Sequence, residues 1–526
     1  MKTTRKVFAI ALSLVMVFAL AISAFAANEY SITIDNKAPN HVYEAYQIFA
    51  GDLSTNAEGT KVLSNITWGS GVDQVKLVDG KTVSDVFAGK TAEEIAAGLK
   101  TEDDAKAFAA KVAPYLKNAK ASAAQANDKY VISGLDAGYY LVKDQNNTLQ
   151  DKDDFYTAYI MKVVANVSAA PKGDKPSLDK QIKHNESGTW GVVGDNQIGD
   201  TVEFRTITTV PDTTGYDTYV YKIHDTMSVG LTSNVSTAAD ITIKVNDAEI
   251  LDAKYYTVTA NGNSFTVNVD ILAAINDGVL AKNDSLYTYY TGVLNADAKV
   301  YDEGKQENTA YLEYSNNPND EGTGRTKEVK VYDWTFKMGV NKVDENGNAL
   351  TGAKFVLSKN GALKVSDLNC NAEGVPTNTA DLIALVKVSD GVYRVATDKD
   401  EAATIVYDID AGNVVINGLD DAITYYLYET KAPEGYNLLK TPVEFKITAE
   451  YNADGASLKT GSPTVTVGAG EPSATLSTDV VNNSGSTLPE TGGIGTTIFY
   501  IAGALLVVAA GIILVTRKRM SSKTKA

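Results

Sequence analysis

Residues 310–317 read AYLEYSNN, and their alternation decides the fold class. Successive side chains of a β-strand point to opposite faces of the sheet. The alternation therefore places Ala310, Leu312, Tyr314 and Asn316 on one face of a strand. Asn317 would point to the other face unless a bulge intervenes. The segment predicts a strand with one buried and one solvated face.

The same pattern extends outward in both directions. Short alternating runs rich in Thr, Val, Ile and Tyr recur from Leu178 to Tyr332, with turn signals such as Asn261-Gly262. Runs of this kind separated by turns are typical of an antiparallel β-sandwich. Further strand-like runs fill the chain from Trp334 to Val481. We therefore predict a mainly β protein made of tandem immunoglobulin-like β-sandwich domains.

The first third of the chain has a different composition in its centre. Strand-like runs occupy 30–49, 130–142 and 156–167, but residues 91–125 are rich in Ala, Leu, Lys and Glu. Thr91 with Glu94 has the spacing of a capping box, which marks a helix start. Thr101, followed by three acids, marks a second start. We predict a β domain that carries a helical insertion.

The boundaries follow from linker composition. Residues 169–176 contain two prolines, a glycine and charges, which favour a linker, and the polar stretch 482–487 reads as a tether. We predict a signal peptide over 1–26, domains over 27–171, 172–333 and 334–487, and a sorting signal over 488–526.

The N-terminus has the pattern of a secretion signal. Three basic residues precede an apolar run from Val7 to Ile22, and the small-residue exit Ala24-Phe25-Ala26 follows. This order is typical of a cleaved signal peptide, and the apolar run is too short for a membrane anchor. We expect a secreted protein.

The C-terminus combines three signals. The motif Leu488-Pro489-Glu490-Thr491-Gly492 precedes an apolar segment from Thr496 to Thr516, which is long enough to span a bilayer. A basic run, 517–519, then forms a positive stop on the cytoplasmic side. The combination resembles a cell-wall sorting signal of the LPxTG type. The resemblance implies that a sortase cysteine attacks the carbonyl of Thr491, cleaves the Thr491–Gly492 bond and passes Thr491 to an amine.

Composition excludes several classes of function. The formal net charge is −17; the predicted signal contributes +3 and the residues after Thr491 contribute +5, so the mature chain carries −25. This charge opposes binding of nucleic acids.

The single cysteine, Cys370, cannot form an internal disulfide, and it is interpreted as a small buried apolar residue. His41, His184 and His224 lack partners at zinc-ligand spacing, and we predict no metal site and no cofactor.

The mature chain resembles the backbone pilins of sortase-assembled pili, the SpaA type. The first domain carries this resemblance in residues 43–49 and 137–142, and the middle domain in residues 199–204 and 311–318. The segments around Lys342 and Glu429 resemble a collagen-adhesin B-type (Cna-B) β-sandwich. The resemblance implies a structural subunit of a covalent pilus on the cell wall of a Gram-positive bacterium. Its implied partners are a sortase, other copies of the chain joined head to tail, a peptidoglycan cross-bridge amine and ancillary pilins.

The resemblance also implies an acceptor lysine for polymerisation. Backbone pilins present a Pro-Lys pair at the end of the first domain, and Pro171-Lys172 falls there. Ala170 stands where the family usually has tyrosine. Proline keeps its neighbour extended and provides no backbone donor, so an exposed Lys172 could enter a sortase cleft. Lys162 and Lys175 are the alternatives.

A second implication is internal isopeptide bonds, each joining a lysine on the first strand of a domain to an asparagine on its last strand beside an acid. Burial would keep the lysine neutral and the acid protonated, and folding would supply the proximity. The resemblance implies two trios: Lys180, Asn316 and Asp225 in the middle domain, and Lys342, Asn482 and Glu429 in the third. Asn317 and Asn483 remain open as the bonded asparagines, and a crosslink in the first domain remains open too.

Two other functional classes compete with this interpretation. An enzyme is disfavoured because the Gly-Lys-Thr triplets at Gly80 and Gly89 lack the upstream glycine of a phosphate loop. A monomeric wall-anchored adhesin or pilus tip protein would share the signal peptide, the β domains and the sorting motif. No host ligand is indicated by the sequence.

Overall fold

The computed structural model describes residues 29–56, 59–145, 158–170, 175–214, 216–318, 322–485 and 494–522. The predicted signal peptide (1–26), the acceptor Lys172 and the sorting motif Leu488–Gly492 lie outside the described residues.

The first segment (29–170) forms two small sheets. Its strands are β1 (Tyr30–Asp35), β2 (Tyr43–Thr55), β3 (Lys61–Trp68), β4 (Lys120–Ala121), β5 (Lys129–Leu135), β6 (Gly138–Asp144), β7 (Ala158–Val163) and β8 (Val167–Ala169). One sheet has the order β5-β1-β8, and the other has the order β3-β2-β6-β7 with β4 paired to β2. One apolar cluster lies between the two sheets, and a second lies between the larger sheet and the helical insertion.

The helical insertion is confirmed between β3 and β4. It consists of α1 (Val83–Val86), α2 (Ala92–Gly98), α3 (Glu102–Val112) and a 3-10 turn at Ala113–Tyr115. Thr91 accepts from the backbone of Glu94, whose side chain in turn accepts from the backbone of Thr91. Thr101 begins the next helix in the same way with Asp104. The capping boxes satisfy backbone donors that a helix start leaves free.

The middle segment (175–334) is a pair of seven-stranded sheets. Its strands are β9 (Leu178–Lys183), β10 (Trp190–Gly191), β11 (Val193–Asp195), β12 (Thr201–Thr209), β13 (Tyr221–Met227), β14 (Leu231–Ser233), β15 (Thr242–Val245), β16 (Glu249–Ile250), β17 (Tyr256–Asn261), β18 (Ser264–Val269), β19 (Ser285–Leu294), β20 (Gln306–Ser315), β21 (Thr323–Arg325) and β22 (Val329–Trp334). One sheet runs β10-β9-β12-β19-β15-β16 with β14 on β19, and the other runs β11-β22-β20-β13-β18-β17 with β21 on β20. A short helix, α4 (Ile271–Asn276), follows β18, and 3-10 turns lie at Ala238–Asp240 and Ala253–Tyr255.

The third segment (336–485) pairs a six-stranded sheet with a five-stranded one. Its strands are β23 (Phe336–Asp344), β24 (Lys354–Ser358), β25 (Leu385–Ser389), β26 (Val392–Val395), β27 (Ile405–Val406), β28 (Asp408–Asp410), β29 (Asn413–Leu419), β30 (Thr424–Lys431), β31 (Val443–Thr448), β32 (Thr464–Val467) and β33 (Ser477–Asn482), with 3-10 turns at Val365–Leu368 and Ala402–Thr404. The sheets run β27-β25-β26-β29-β23-β33 and β28-β24-β30-β31-β32. The strand that opens the segment, β23, lies parallel to the strand that closes it, β33.

The predicted fold class is confirmed: sheets with alternating buried and solvated positions occupy all three segments. β20 shows this alternation directly, since its buried positions include Ala310, Leu312 and Tyr314. The middle and third segments share one apolar cluster, and only Thr335 separates β22 from β23. The domain limits 27–171, 172–333 and 334–487 stay predictions.

The C-terminal apolar segment is a helix, α5 (Ile494–Ser522). Its stretch from Phe499 to Met520 is long and apolar enough to cross a membrane, judged by length and composition alone. The basic residues 517–519 lie at its C-terminal end.

Leu312→Ala should destabilise the middle segment by about 2–5 kcal/mol, because the side chain is fully buried between the two sheets and its removal leaves a cavity. Hydrogen–deuterium exchange of peptides from β13 and β20 measures the change. Thr309→Ala, at a half-buried outward position of the same strand, is the control and should change the opening free energy by less than about 1 kcal/mol. An equal effect of both changes would contradict the assigned inward face.

Candidate functional site

A buried lysine lies between the two sheets of the middle segment. Lys180 is on an inward position of β9 and has 0% exposure. Tyr290 of β19 belongs to the same sheet. Asp225 of β13 and Asn308 of β20 face them from the opposite sheet, and both are buried. The four side chains thus meet across the core.

Hydrogen bonds connect the four side chains. Lys180 Nζ donates to Asp225 Oδ2 and to the Tyr290 hydroxyl. The Tyr290 hydroxyl donates to the same Asp225 oxygen. Asn308 Nδ2 lies 3.4 Å from the Tyr290 hydroxyl. Asp225 Oδ1 and Asn308 Oδ1 are buried without a hydrogen-bond partner among the described residues, so two acceptor oxygens of the site remain available to a reacting group.

The surroundings of Lys180 oppose its charge. Burial lowers the pKa of the Lys180 amine, while the attraction of Asp225 acts in the other direction. Burial also raises the pKa of the Tyr290 hydroxyl well above its usual value. The amine lies 5.1 Å from the Tyr290 ring centre and 5.7 Å from the Phe204 ring centre. A dry aromatic pocket favours the neutral, nucleophilic form of a lysine.

The structure places Asn308 beside the Tyr290 hydroxyl that Lys180 contacts, whereas the expected partner of Lys180 was Asn316. In the β13–β20 register, Asp225 lies opposite Ala310 and Met227 lies opposite Asn308. Asn316 comes six residues after Ala310, which is about 20 Å along an extended chain. Asn317 is one residue farther. Both are buried, but the choice of either as the partner of Lys180 does not fit this register.

The third segment contains a second buried lysine. Lys342 of β23 has 0% exposure, and its Nζ donates to the carbonyl oxygens of Val480 at 2.8 Å and Val343 at 3.3 Å. β23 and β33 are parallel, and Lys342 lies opposite Val480. Asn482 is on β33, two residues beyond Val480. Lys342 and Asn482 therefore lie near each other in sequence register, close to the ends of the adjacent first and last strands of the segment.

Glu429 completes this second site from the other sheet. Asn482 Nδ2 donates to Glu429 Oε2 at 2.9 Å and to the carbonyl oxygen of Asn437 at 2.7 Å. The backbone amide of Leu439 donates to the same Glu429 oxygen at 2.8 Å. Glu429 Oε1 and Asn482 Oδ1 are buried and unpartnered among the described residues. Asn483, the alternative, is exposed.

Burial dominates the electrostatics of this site as well. It lowers the pKa of Lys342, against the attraction of Glu429. It raises the pKa of Glu429, against the hydrogen bonds from Asn482 and Leu439 and the charge of Lys342. The two shifts favour a neutral amine beside a neutral acid, which is the pairing that attack on an amide carbonyl requires.

The remaining candidates lie elsewhere. Lys162 is half-buried in β7 and donates to the carbonyl oxygen of Lys61 at 3.0 Å, and burial lowers its pKa. Lys175 is exposed.

Cys370 is half-buried beside a small apolar cluster in the third segment, and burial raises the pKa of its thiol. His41 contacts Asp144 at 2.8 Å, and His224 contacts Glu313 at 2.9 Å.

Sequence reasoning missed Tyr290 and Asn308. The signal for Asn308 was present, since it falls on the same alternating face as Ala310 and Leu312. No local pattern marks Tyr290, which reaches the site only through the pairing of β12 with β19.

Two families match the chain. Residues 336–459 match SpaA, a prealbumin-like fold domain, and residues 480–522 match the LPXTG cell wall anchor motif. The first match contains Lys342 and Glu429, and the second contains Asn482, the sorting motif and all of α5.

Curated relatives are fimbrial and surface proteins. The type 1 fimbrial subunit of Actinomyces viscosus is 26% identical over 384 residues, which cover 67% of this chain and 66% of that protein. The trypsin-resistant surface T6 protein of Streptococcus pyogenes serotype M6 is 25% identical over 400 residues, which cover 67% of this chain and 70% of that protein. The chain thus spans about two thirds of the length of these curated relatives.

Among solved structures, the full-length major pilin SpaD from Corynebacterium diphtheriae has a TM-score of 0.44 and 17% identity, with 88% of this chain and 99% of that chain covered. The fimbrial protein FimP from Actinomyces oris has a TM-score of 0.46 and 15% identity over the same shares. The chain therefore contains a SpaA prealbumin-like domain and an LPXTG cell-wall anchor motif, and it is similar to fimbrial and surface proteins over about two thirds of its length.

Proposed function

We propose that this chain is the backbone subunit of a covalent pilus. Sortase joins Thr491 of one copy to Lys172 of the next, and a cross-bridge amine of peptidoglycan receives the last copy. Two internal amide bonds, Lys180–Asn308 and Lys342–Asn482, stabilise each subunit. The observation that carries the proposal is the pair of fully buried lysines, each in a site with a buried acid and a buried asparagine.

The internal bonds need no enzyme. The neutral lysine Nζ attacks Cγ of the asparagine, and the new C–N bond forms as the Cγ–Nδ2 bond breaks. The neighbouring acid donates a hydrogen bond to the amide oxygen, accepts a proton from the attacking nitrogen and passes one to the departing Nδ2. One ammonia leaves for each bond, and no oxidant or reductant is required. Folding provides the proximity that a catalyst would otherwise supply.

In the third segment the bond would close almost the whole fold. Lys342 is on the strand that opens the segment and Asn482 is on the strand that closes it. The loop so formed contains more than a hundred residues, for which the chain-entropy treatment of crosslinks gives about 4–5 kcal/mol of stabilisation. A chain with one cysteine has no internal disulfide to do this.

In the middle segment the bond would join the two sheets. Lys180 comes from β9 at one side of the core, and Asn308 comes from β20 in the opposite sheet. The Tyr290 hydroxyl touches Lys180, Asp225 and Asn308, so it supports the proposal as a proton relay between amine, acid and amide.

The acceptor for polymerisation is assigned to Lys172, with the Pro171-Lys172 pair in the linker as its support. Lys162 is a weaker candidate because its amine, on β7, donates to the backbone carbonyl oxygen of Lys61 in β3. Lys175 is exposed and close in sequence. Ancillary pilins and the cross-bridge amine are expected partners of the same reaction.

Substitution of Asn308, on β20, or of Asn316, just after β20, distinguishes the two candidate partners of Lys180. Intact-mass spectrometry of the wild-type mature chain should show the loss of two ammonia molecules. Asn308→Ala should restore one of them, because the acyl group that Lys180 attacks is gone. The matched change Asn316→Ala should leave both losses in place. A crosslinked peptide pair containing Lys180 and residue 316 would overturn the assignment of Asn308.

Glu429 should make the stability of the unbonded third segment depend on pH. Lys342→Met prevents the bond while keeping the buried stem. Because the pKa of Glu429 is raised in the folded chain, the folded state binds its proton more tightly than the unfolded state does. The free energy of unfolding should therefore fall as pH rises from about 4.5 through the raised value, by about 1.4 kcal/mol for each unit of pKa shift.

Denaturant unfolding of the Lys342→Met chain across this pH range measures the slope. Adding Glu429→Gln should remove the fall, whereas adding Glu434→Gln, an exposed glutamate of the same segment, should leave it. An unchanged slope in the Glu429→Gln background would mean that Glu429 has an ordinary pKa in the folded chain.

Polymerisation is tested by immunoblots of cell-wall extracts. Wild type should give a ladder of covalent multimers, and Lys172→Ala should give a single band, because the acyl-enzyme lacks its amine. Lys162→Ala and Lys175→Ala are the matched controls and should keep the ladder. Thr491→Ala should lose both the ladder and wall attachment. A single band in wild type would mark a monomeric adhesin, and a ladder in Lys172→Ala would move the acceptor to another lysine.

A further inference from the structure

The middle and third segments meet at a polar pocket that the crosslink sites do not use. The loop after β11 contacts the end of β29, where the Ile198 amide donates to the Gly418 carbonyl oxygen at 3.0 Å. Trp334 Nε1, at the end of β22, donates to the Gly455 carbonyl oxygen at 3.1 Å. Backbone groups of both segments are therefore fixed against each other on either side of the pocket.

Four carboxylates converge in this pocket. Asp195 ends β11, and Glu186 lies in the turn before it. Asp420 and Asp421 follow β29. One ligand atom from each of the four lies within 4.8 Å of those of the others. Asp195 and Asp420 are 0% exposed and Asp421 is 4% exposed, whereas Glu186 lies at the exposed rim.

Each buried aspartate has one oxygen held and one oxygen without a partner. The Oδ2 atoms accept hydrogen bonds from three different protein donors: the Tyr451 hydroxyl to Asp195 at 3.0 Å, Asn185 Nδ2 to Asp420 at 2.6 Å, and the Ala449 amide to Asp421 at 2.8 Å. The Oδ1 atoms of the same three residues are buried and have no hydrogen-bond partner within the part of the chain that the structure describes. A buried carboxylate oxygen without a partner is costly, so something absent from the protein's own donors is expected to satisfy them.

The protein supplies little positive charge here. No lysine or arginine nitrogen of the described residues lies within 4.0 Å of these three aspartates, and the nearest basic side chain is the His184 imidazole, whose Nε2 lies 3.4 Å from Asp195 Oδ2. The bare cluster is thus a strongly unfavourable place for three or four negative charges.

We propose that Glu186, Asp195, Asp420 and Asp421 bind a Ca²⁺ ion that bridges the middle and third segments. Calcium takes six to eight oxygen ligands at about 2.3–2.6 Å, so ligands on opposite sides of the ion lie up to about 5 Å apart. The ligand atoms of the four residues all lie within 4.8 Å of one another, which fits inside this span. Magnesium usually keeps several waters and binds only one or two carboxylates, whereas this cluster offers four. The hydrogen bonds to the Oδ2 atoms fix the orientation of each carboxylate and thereby of its Oδ1 atom. Outer-shell hydrogen bonds orient ligands in the same way at metal sites.

The location suits calcium in a second respect. The chain is exported to the cell surface, and calcium modules of extracellular proteins bind with Kd values of about 10⁻⁴–10⁻³ M. Ligands from two segments mean that the ion couples their orientation, independently of the amide bonds proposed above.

The experiment compares calcium binding by chelator-treated wild type and single variants, using titration calorimetry and thermal unfolding with added CaCl₂. Wild type should bind one ion at this site, and its Tm should rise with calcium concentration. Asp420→Asn and Asp421→Asn keep the side-chain shape and should weaken binding at least tenfold, with the rise in Tm lost. Asp398→Asn, which changes the same charge at an exposed position of the third segment, should bind as wild type does.

Two results would overturn the proposal. Wild type that binds no calcium at millimolar concentrations would mean that the carboxyls satisfy each other with shared protons. Binding that is unaffected by either aspartate variant would put the ion elsewhere. If the buried variants do not fold, Glu186→Gln at the exposed rim decides the matter, because it should weaken binding without disturbing the core, and unchanged binding would contradict the site.

Discussion

The constraint on which the architecture depends is the burial of an amine in a β-sheet core. Lys180 and Lys342 are fully buried, and an isolated ammonium in such a place would be far more costly than any packing gain. Each core therefore brings its own polar neighbours. In the middle segment an acid and a tyrosine hydroxyl surround the amine, and in the third segment carbonyl oxygens of β33 and Val343 accept its hydrogens. The pairing of strands around each lysine is what makes these neighbours available.

Much of this was accessible from the sequence, because the relevant patterns are local. Alternation predicted the strands, and threonines followed by acids predicted the starts of the inserted helices. Lys342, Glu429 and Asn482 stand in short runs whose inward positions can be counted. Asn308 on β20 and Asn316 just after it fall on the same alternating face, so counting could not choose between them. The choice depends on the register between β13 and β20, which alternation alone does not specify. Tyr290 and the carboxylates at 186, 195, 420 and 421 depend on contacts between distant parts of the chain.

The contact between the middle and third segments is specified by two glycines as well as by polar groups. A Cβ atom at Gly418 would come within 2.6 Å of Ile198 Cδ1, and one at Gly455 would come within 2.9 Å of Val193 Cβ. Both glycines have positive φ angles, which other residues rarely adopt. The shared apolar cluster continues from one segment to the next beside this contact. The first segment has separate clusters of its own.

The parallel pairing of β23 with β33 has a mechanical meaning. A pulling force on the third segment enters at the start of β23 and leaves at the end of β33. Because these neighbours run in the same direction and in register from Gly339–Ser477 to Asp344–Asn482, the force slides one strand along the other and loads the whole ladder at once. Strands peeled from one end would instead lose their hydrogen bonds one after another. The parallel pairing of the first and last strands thus makes the third segment resist extension in shear. The remaining strands of both sheets lie outside the direct line of load.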